Sequence, residues 1–198
     1  MTNRTSVLDI KKEEIPLEIV NTKIFVIAGG PCSGKTTLLE GLKRAGYRIE
    51  YETAEQLIKR GLQVGSTVEE LRADVVKWQT LVFKEDFLLF SSFESAALVF
   101  VDTSFIETYV FTKLSGIQMG PHIDAWLRKF RFGGVFFLDK LERHEQTSIR
   151  IEDEETAEDL SRSILGAYQD FGYTPEIIPP VSVDERIKLI LKTVENTL

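Results

Sequence analysis

The sequence predicts an α/β domain, a parallel sheet of about five strands with helices on both faces, and three observations carry that prediction. Short apolar runs alternate with segments whose apolar residues recur every three or four positions, the pattern of strands joined by helical crossovers. The clearest runs, Lys23–Ala28 (KIFVIA), Leu98–Val101 and Val135–Leu138, are apolar at nearly every position rather than at alternate ones, as strands buried on both faces must be. At 198 residues, with 43% hydrophobic and 28% charged side chains, the chain can fill one full core and carries no low-complexity tract that would divide it.

The elements follow in order. Residues 1–22 are a charged lead-in, where Ile15, Leu17 and Ile19 alternate as a short edge strand would and Pro16 argues against one. The domain proper is expected over 23–198. After the first strand, Gly34–Ala45 reads as a helix with Leu38, Leu39 and Leu42 on one face and Gly46 as its stop. Tyr47–Glu52 alternates as a second strand, and Thr53–Arg60 reads as a helix ended by Gly61. Thr67 and Glu70 have capping-box spacing at the start of a long helical pattern through Val68, Leu71, Val75, Trp78, Val82 and Leu89. Glu85 falls on that apolar seam, as a helix end leaving the core or as a carboxylate facing a site. The strand Leu98–Val101 leads into Asp102, helices are expected over Phe105–Leu114 and Asp124–Arg131, and Val135–Leu138 is the fourth strand. Lys140–Asp153 is polar and reads as a mobile lid. A helix through Ala157, Leu160, Ile164, Ala167 and Phe171, a brief strand at Ile177–Ile178, and a C-terminal helix capped by Ser182 and Glu185 complete the chain.

Composition narrows the partners. With 24 basic and 31 acidic residues the net charge is −7, a field that repels nucleic-acid backbones and anionic lipid surfaces. No nucleic-acid or membrane partner is expected, and any phosphate ligand needs a local site. The single cysteine, Cys32, rules out an internal disulfide and favours a reducing compartment. Without a signal-peptide core or a membrane-length apolar run, the chain reads as cytoplasmic.

The chemistry concentrates in Gly29-Gly30-Pro31-Cys32-Ser33-Gly34-Lys35-Thr36, which matches G-x-x-x-x-G-K-[ST] at every fixed position, between a strand and a helix. Glycines let the backbone wrap so that successive N–H groups face phosphate oxygens, and the helix N-terminus adds its positive end. Lys35 is expected on the β- and γ-phosphates, Thr36 on Mg²⁺ and Thr37 beside them, with ATP as the nucleotide. This is the phosphate loop of the P-loop NTPase fold. Asp102, ending a buried strand, is expected to hold Mg²⁺ or orient an attacking hydroxyl, with a helix N-cap as the alternative. Asp139 competes for the metal. Glu107 follows Ser104 at capping-box spacing. Glu52 is a rim carboxylate, either functional or starting a helix. Arg143 and Arg150 lie in the lid and Arg162 follows it; Arg150 is the residue expected to close on the phosphates, with solvated surface pairing as the alternative for all three. His122 and His144 have no metal-like spacing and read as surface residues, and Cys32 reads as incidental.

The segments IAGGPCSGKTTLLEGLKRAGYRIEYETAEQLI, FVDTS and VFFLD, with the tail from Ile149 to Ile187, resemble the small AAA-type P-loop family typified by the nicotinamide ribonucleoside kinase domain, itself similar to thymidylate-type kinases. That tail carries an Arg-acidic run, Tyr168-x-x-x-Gly172-Tyr173 and an acidic-Arg close. The resemblance implies a five-stranded parallel core, ATP with Mg²⁺, and phosphoryl transfer to a small acceptor or regulated ATP hydrolysis. It implies Glu52 at the acceptor, Asp102 as metal ligand or base, and Arg150 in the lid. Where the family often reads Asp-Arg-Ser, this chain has Asp102-Thr103-Ser104, which removes a charged grip near the acceptor. Two functions stand open: a small-molecule kinase, and a nucleotide-dependent switch acting through a protein partner. A ring motor is disfavoured because Thr103 replaces a hydrolytic glutamate, and a GTPase because no Asn/Thr-Lys-x-Asp segment occurs.

Overall fold

A computed structural model describes residues 7–8, 10–15, 20–93, 98–141 and 154–198. They fall into two compact units, each assembled from separate stretches of chain. A sheet unit comprises Asn21–Glu50, Ser95–Thr103 and Phe132–Leu198, and a helical unit comprises Met1–Val20, Tyr51–Glu94 and Ser104–Arg131.

In the sheet unit, β1 (Val20–Ala28), β2 (Arg48–Glu50), β3 (Val99–Asp102), β4 (Arg131–Leu138) and β5 (Glu176–Ile178) form one sheet in the order β2-β3-β1-β4-β5. The strands run parallel, with Ile27 opposite Asp102 and Leu138 opposite Ile178. Successive strands are added first on one side of β1 and then on the other, so the order reverses at β1. The crevice at the carboxyl ends beside such a reversal is the usual ligand position in open α/β sheets. Phe25 and Ile27 point to one face, where α1 (Lys35–Arg44) and α8 (Val183–Thr197) supply Leu38, Leu39, Leu42, Ile190 and Val194. Phe25 lies between Phe100 and Phe136, with ring centroids 6.0 Å away on either side. Ile24 and Val26, on the opposite face, are equally buried, which explains why the run is apolar at successive positions. The helix α7 (Glu154–Asp170) buries Ile164, Ala167 and Tyr168. α8 begins on the expected Ser182–Glu185 capping box.

The helical unit holds α2 (Thr53–Gln63), α3 (Val68–Arg72), α4 (Val75–Ser91), α5 (Phe105–Leu114) and α6 (Pro121–Leu127). Its aromatic cluster packs edge to face: Phe105 lies 4.8 Å from Trp126, 4.7 Å from Phe130 and 5.0 Å from Phe90. The second strand is shorter than the expected Tyr47–Glu52, and four further elements depart from the sequence reading for identifiable reasons. α2 runs through Gly61, where an added Cβ would come within 2.5 Å of Leu71, so that glycine serves close helix packing rather than a stop. The long helix begins on the Thr67–Glu70 capping box but breaks after Arg72, because Asp74 caps a second helix by accepting from the Lys77 amide. α6 starts at Pro121, whose fixed φ suits a first helical position, and stops at Leu127 rather than Arg131. β4 accordingly starts at Arg131, four residues before its apolar run. The residues Lys12–Glu14 form a 3-10 turn, and 16–19, where an edge strand was considered, lie outside the described residues. Among the described residues, no helix is long and apolar enough to cross a membrane.

Glu85 resolves as a surface residue, its carboxylate 3.0 Å from Arg60 Nη2. The buried acid of α4 is its neighbour Asp86, only 3% exposed, whose Oδ2 accepts a 2.8 Å hydrogen bond from Thr108 Oγ1. The Thr112 hydroxyl, 3.1 Å from Gln79 Oε1, lies next in this buried polar seam between α4 and α5. Burial pushes Asp86 from 3.8 up to about 7, against the hydrogen bonds of Thr53 and Thr108, and the Glu52 and Glu85 carboxylates push the same way. Between 3.8 and about 7 the folded chain therefore keeps a proton that the unfolded chain has lost. That contribution is full below the unfolded value and is lost as pH rises through the folded one. Asp86→Asn keeps an acceptor for Thr108 but cannot ionise. Denaturant titrations should show its stability declining less than the wild type's across this window, with a higher Tm at alkaline pH. An unchanged pH slope would exclude Asp86 as the titrating group.

Candidate functional site

The loop after β1 turns at Gly29, with φ +146, and enters α1 through Gly34, with φ +87. Gly29 is also sterically required, and Gly34 is tightly approached. A Cβ on Gly29 would lie 2.9 Å from the Leu138 carbonyl oxygen, and one on Gly34 would lie 3.1 Å from Leu141 Cδ1. On Gly30 it would lie 2.8 Å from Ser161 Cβ on α7. Cys32, exposed at the crest, is left-handed with φ 59, a conformation that costs a non-glycine residue about 1–3 kcal/mol. Ser33 is buried, and its Oγ donates to the Gly30 carbonyl at 2.9 Å. Lys35 Nζ folds back over the loop, donating to the carbonyl oxygens of Gly29 at 2.6 Å and Gly30 at 3.1 Å. Pro31, Thr36 and Thr37 are exposed.

The N-terminus of α1 differs from its counterparts. It has no side-chain cap and no acidic residue in its first turn. α3, α4, α5 and α8 each have a side-chain cap, and α2 and α6, which lack one, carry Glu55 and Asp124 in their first turns. Among the described helices with a defined N-cap, α1 alone has neither a side-chain cap nor a first-turn acid to meet its positive end.

Asp102 ends β3 beside Ile27, nearly buried, and the Thr103 amide donates to the Ile27 carbonyl at 3.4 Å. Thr103 is left-handed with φ 67, a rare state for a β-branched side chain. The N-cap of α5 is Ser104, whose Oγ accepts from the Ile106 amide. Asp102 is thus not the N-cap of α5. Glu107 does belong to the capping box, its Oε2 accepting from the Ser104 amide at 2.8 Å. Glu52 is the N-cap of α2 without a side-chain capping bond, and lies in the helical unit. Asp139, after β4, is exposed. Arg162 pairs with Asp159 on the surface of α7. His122 is not a free surface group, because its Nε2 lies 2.8 Å from the Ile10 carbonyl oxygen. The residues Arg143, His144 and Arg150, and the lid from residue 142 to 153, lie outside the described residues. Among the described residues, no cluster of three His, Cys, Asp or Glu side chains could hold a metal.

One residue absent from the expected site is Arg186 of α8, 2% exposed. Its Nη1 donates to the Ser33 carbonyl at 2.6 Å, Nη2 to Asp139 at 3.0 Å and Nε to Pro179 at 2.9 Å. The guanidinium thus joins the phosphate loop to the ends of β4 and β5. Burial pulls its pKa below the usual arginine value, and the Asp139 carboxylate pulls it back. The sequence signal was the acidic-Arg close of the tail, which marks the residue without saying what it touches.

The family model for the AAA domain matches residues 24–186. No curated protein matches the chain. Among solved structures it is similar to the NadR protein in complex with NR, with a TM-score of 0.56 and 19% identity over 79% of this chain and 45% of that one. The chain therefore spans less than half the length of that protein. It is also similar to deoxyadenosine kinase from M. mycoides with dCMP and dCDP bound, with a TM-score of 0.58 and 17% identity over 87% of this chain and 99% of that one. A third likeness is to shikimate kinase from Aquifex aeolicus, with a TM-score of 0.51 and 18% identity over 87% of this chain and 96% of that one. At these identities the likeness establishes the fold, an α/β sheet shared with P-loop kinases. The family match spans most of the chain, so the chain belongs to the AAA domain family.

Proposed function

We propose that this member of the AAA domain family is a phosphotransferase that uses ATP and Mg²⁺ to phosphorylate a small nucleoside-, nucleotide- or riboside-like acceptor. The observation that carries the reading is the uncapped N-terminus of α1 beneath a glycine loop, with Lys35 folded over it. The residues fit the group: Gly29 and Gly30 leave no room for a Cβ where the backbone must come close to its neighbours, and Lys35 supplies the cation. The exposed Thr36 and the strand-end Asp102 supply hard oxygen donors of the kind Mg²⁺ prefers.

When bound, Mg²⁺·ATP supplies the transferable phosphoryl group and neutralises part of its charge. The chain's own residues do the rest. Amides of the loop from Gly29 to Thr37 hold phosphate oxygens, and Lys35 exchanges the carbonyls of Gly29 and Gly30 for the β- and γ-phosphates. Asp102 holds the metal or takes the proton of the acceptor hydroxyl. Arg150 closes on the phosphates, and Glu52 recognises the acceptor. The kinases among the structural neighbours support phosphoryl transfer as the reaction class. Thr103, where an arginine is frequent in the family, favours a second reading, a nucleotide-dependent switch with a protein partner.

Millimolar Mg²⁺·ATP should raise the Tm, because a ligand that binds only the folded state stabilises it by mass action. No shift in a thermal melt would remove ATP as the ligand. Lys35→Ala should keep the fold and lose about 10²–10³ in turnover, typical for one preorganised donor. ADP release across a panel of nucleosides, nucleotides and ribosides separates the two readings. Acceptor-dependent release means a kinase, and slow acceptor-independent release means a switch. Wild-type turnover in the Lys35 variant would show that the phosphates bind elsewhere.

A further inference from the structure

We infer that Arg186 is a positioning residue for phosphate binding, acting through the Ser33–Gly34 peptide to aim the Gly34 amide at the ligand. The inference rests on the phosphate-site reading of the loop and assigns part of its donor geometry to a residue 153 positions away in the sequence.

The argument starts from the planarity of the peptide unit. In a trans peptide the C=O and the following N–H point in opposite directions. The Ser33 carbonyl oxygen accepts from Arg186 Nη1 at 2.6 Å, so the Gly34 N–H points away from the guanidinium. Gly34 is the N-cap of α1, the residue whose amide opens the uncapped helix end. With φ +87 and no side chain, it would be free to let this peptide rotate. A buried cation on one oxygen removes that freedom. It also polarises the amide, because hydrogen bonds in series strengthen one another. The other two nitrogens of the same guanidinium each donate to a carbonyl, of Asp139 and of Pro179, so it cannot turn without losing both. Lys35 does the corresponding work at the other end of the loop, where its Nζ holds the carbonyls of Gly29 and Gly30. The two cations differ in permanence. Lys35 is part-buried on a flexible stem, whereas Arg186 is 2% exposed and held at three points. Lysine could not replace it, since an ammonium has no planar fork to span three carbonyls.

Arg186→Lys and Arg186→Ala test the inference, at a temperature where circular dichroism shows each folded. Affinities for Mg²⁺·ATP and for Mg²⁺·tripolyphosphate should fall together, by about tenfold or more, since charge-assisted hydrogen bonding is worth over 1.4 kcal/mol. Millimolar guanidinium ion should restore part of the loss in Arg186→Ala, and equal ammonium should not. Folded variants that bind both ligands within twofold of the wild type would overturn the inference and leave Arg186 as a packing residue. A second measurement needs no variant. In the wild type, the Gly34 amide proton should move downfield when Mg²⁺·tripolyphosphate binds, and an unmoved signal overturns the inference even if every variant unfolds. Should the wild type bind neither ligand, the phosphate-site reading itself fails, an outcome distinct from the failure of Arg186.

Discussion

One buried charge ties together three segments at the edge of the sheet unit. Arg186 reaches from α8 to three backbone carbonyls that belong to separate crossings of the sheet edge: the phosphate loop after β1, the end of β4 and the end of β5. Each carbonyl follows the end of a strand, and the one at Ser33, which is buried, would be costly without a partner. A guanidinium satisfies three at once because its donors are fixed in a plane. Removing an ion from water costs several kcal/mol, even after relaxation. The carbonyl dipoles offset that cost only while all three loops keep their positions. The arginine and the loops therefore specify one another, and the register between Leu138 and Ile178 supplies the rigid frame on which they do so.

The same edge explains why strain collects there. Gly29, Cys32, Gly34 and Thr103 all have positive φ and all follow the carboxyl ends of β1 and β3. A parallel sheet offers no hairpin at this edge, so every strand must turn out of the plane toward a helix. Glycine makes the turn freely, while Cys32 and Thr103 make it at a cost. Strain of that kind persists only where the surroundings over-determine it. At Thr103 the amide still bonds to the Ile27 carbonyl, which keeps Asp102 at a fixed height beside the phosphate loop.

Legibility in the sequence followed the range of the interaction. Strand–helix alternation, the phosphate loop and three capping boxes were readable, because each depends on neighbours a few residues apart. The Asp74 break was local too, but the apolar seam that spans it suggested one helix, since periodicity reports burial and not capping. Gly61 was misread as a stop because its partner, Leu71, lies in another helix. Asp86 and Arg186 were passed over for the same reason. Nothing adjacent to Asp86 distinguishes it from Glu85, and only the packing of α4 on α5 decides which carboxylate is buried. Arg186 stands in an ordinary amphipathic helix, and its three partners are between seven and 153 residues away.

On the function proposed above, a chain of net charge −7 binds a polyanion against its own field, and the helix termini bear on how that is arranged. α2, α3, α5, α6 and α8 carry acidic residues in their first turns, and α4 has Asp74 as its cap. Such carboxylates neutralise the positive helix ends, and at α1 the sequence Lys35-Thr36-Thr37 supplies none. The negative charge is thus distributed to quench the other described termini and withheld from this one. Lys35 and Arg186 donate to carbonyls of the loop rather than to carboxylates, with the Asp139 carboxylate standing near Arg186. A carbonyl can be given up or polarised without leaving a bare anion behind. On the proposed function, an incoming phosphate becomes the counter-charge of the uncapped α1 end, while the protein as a whole stays acidic.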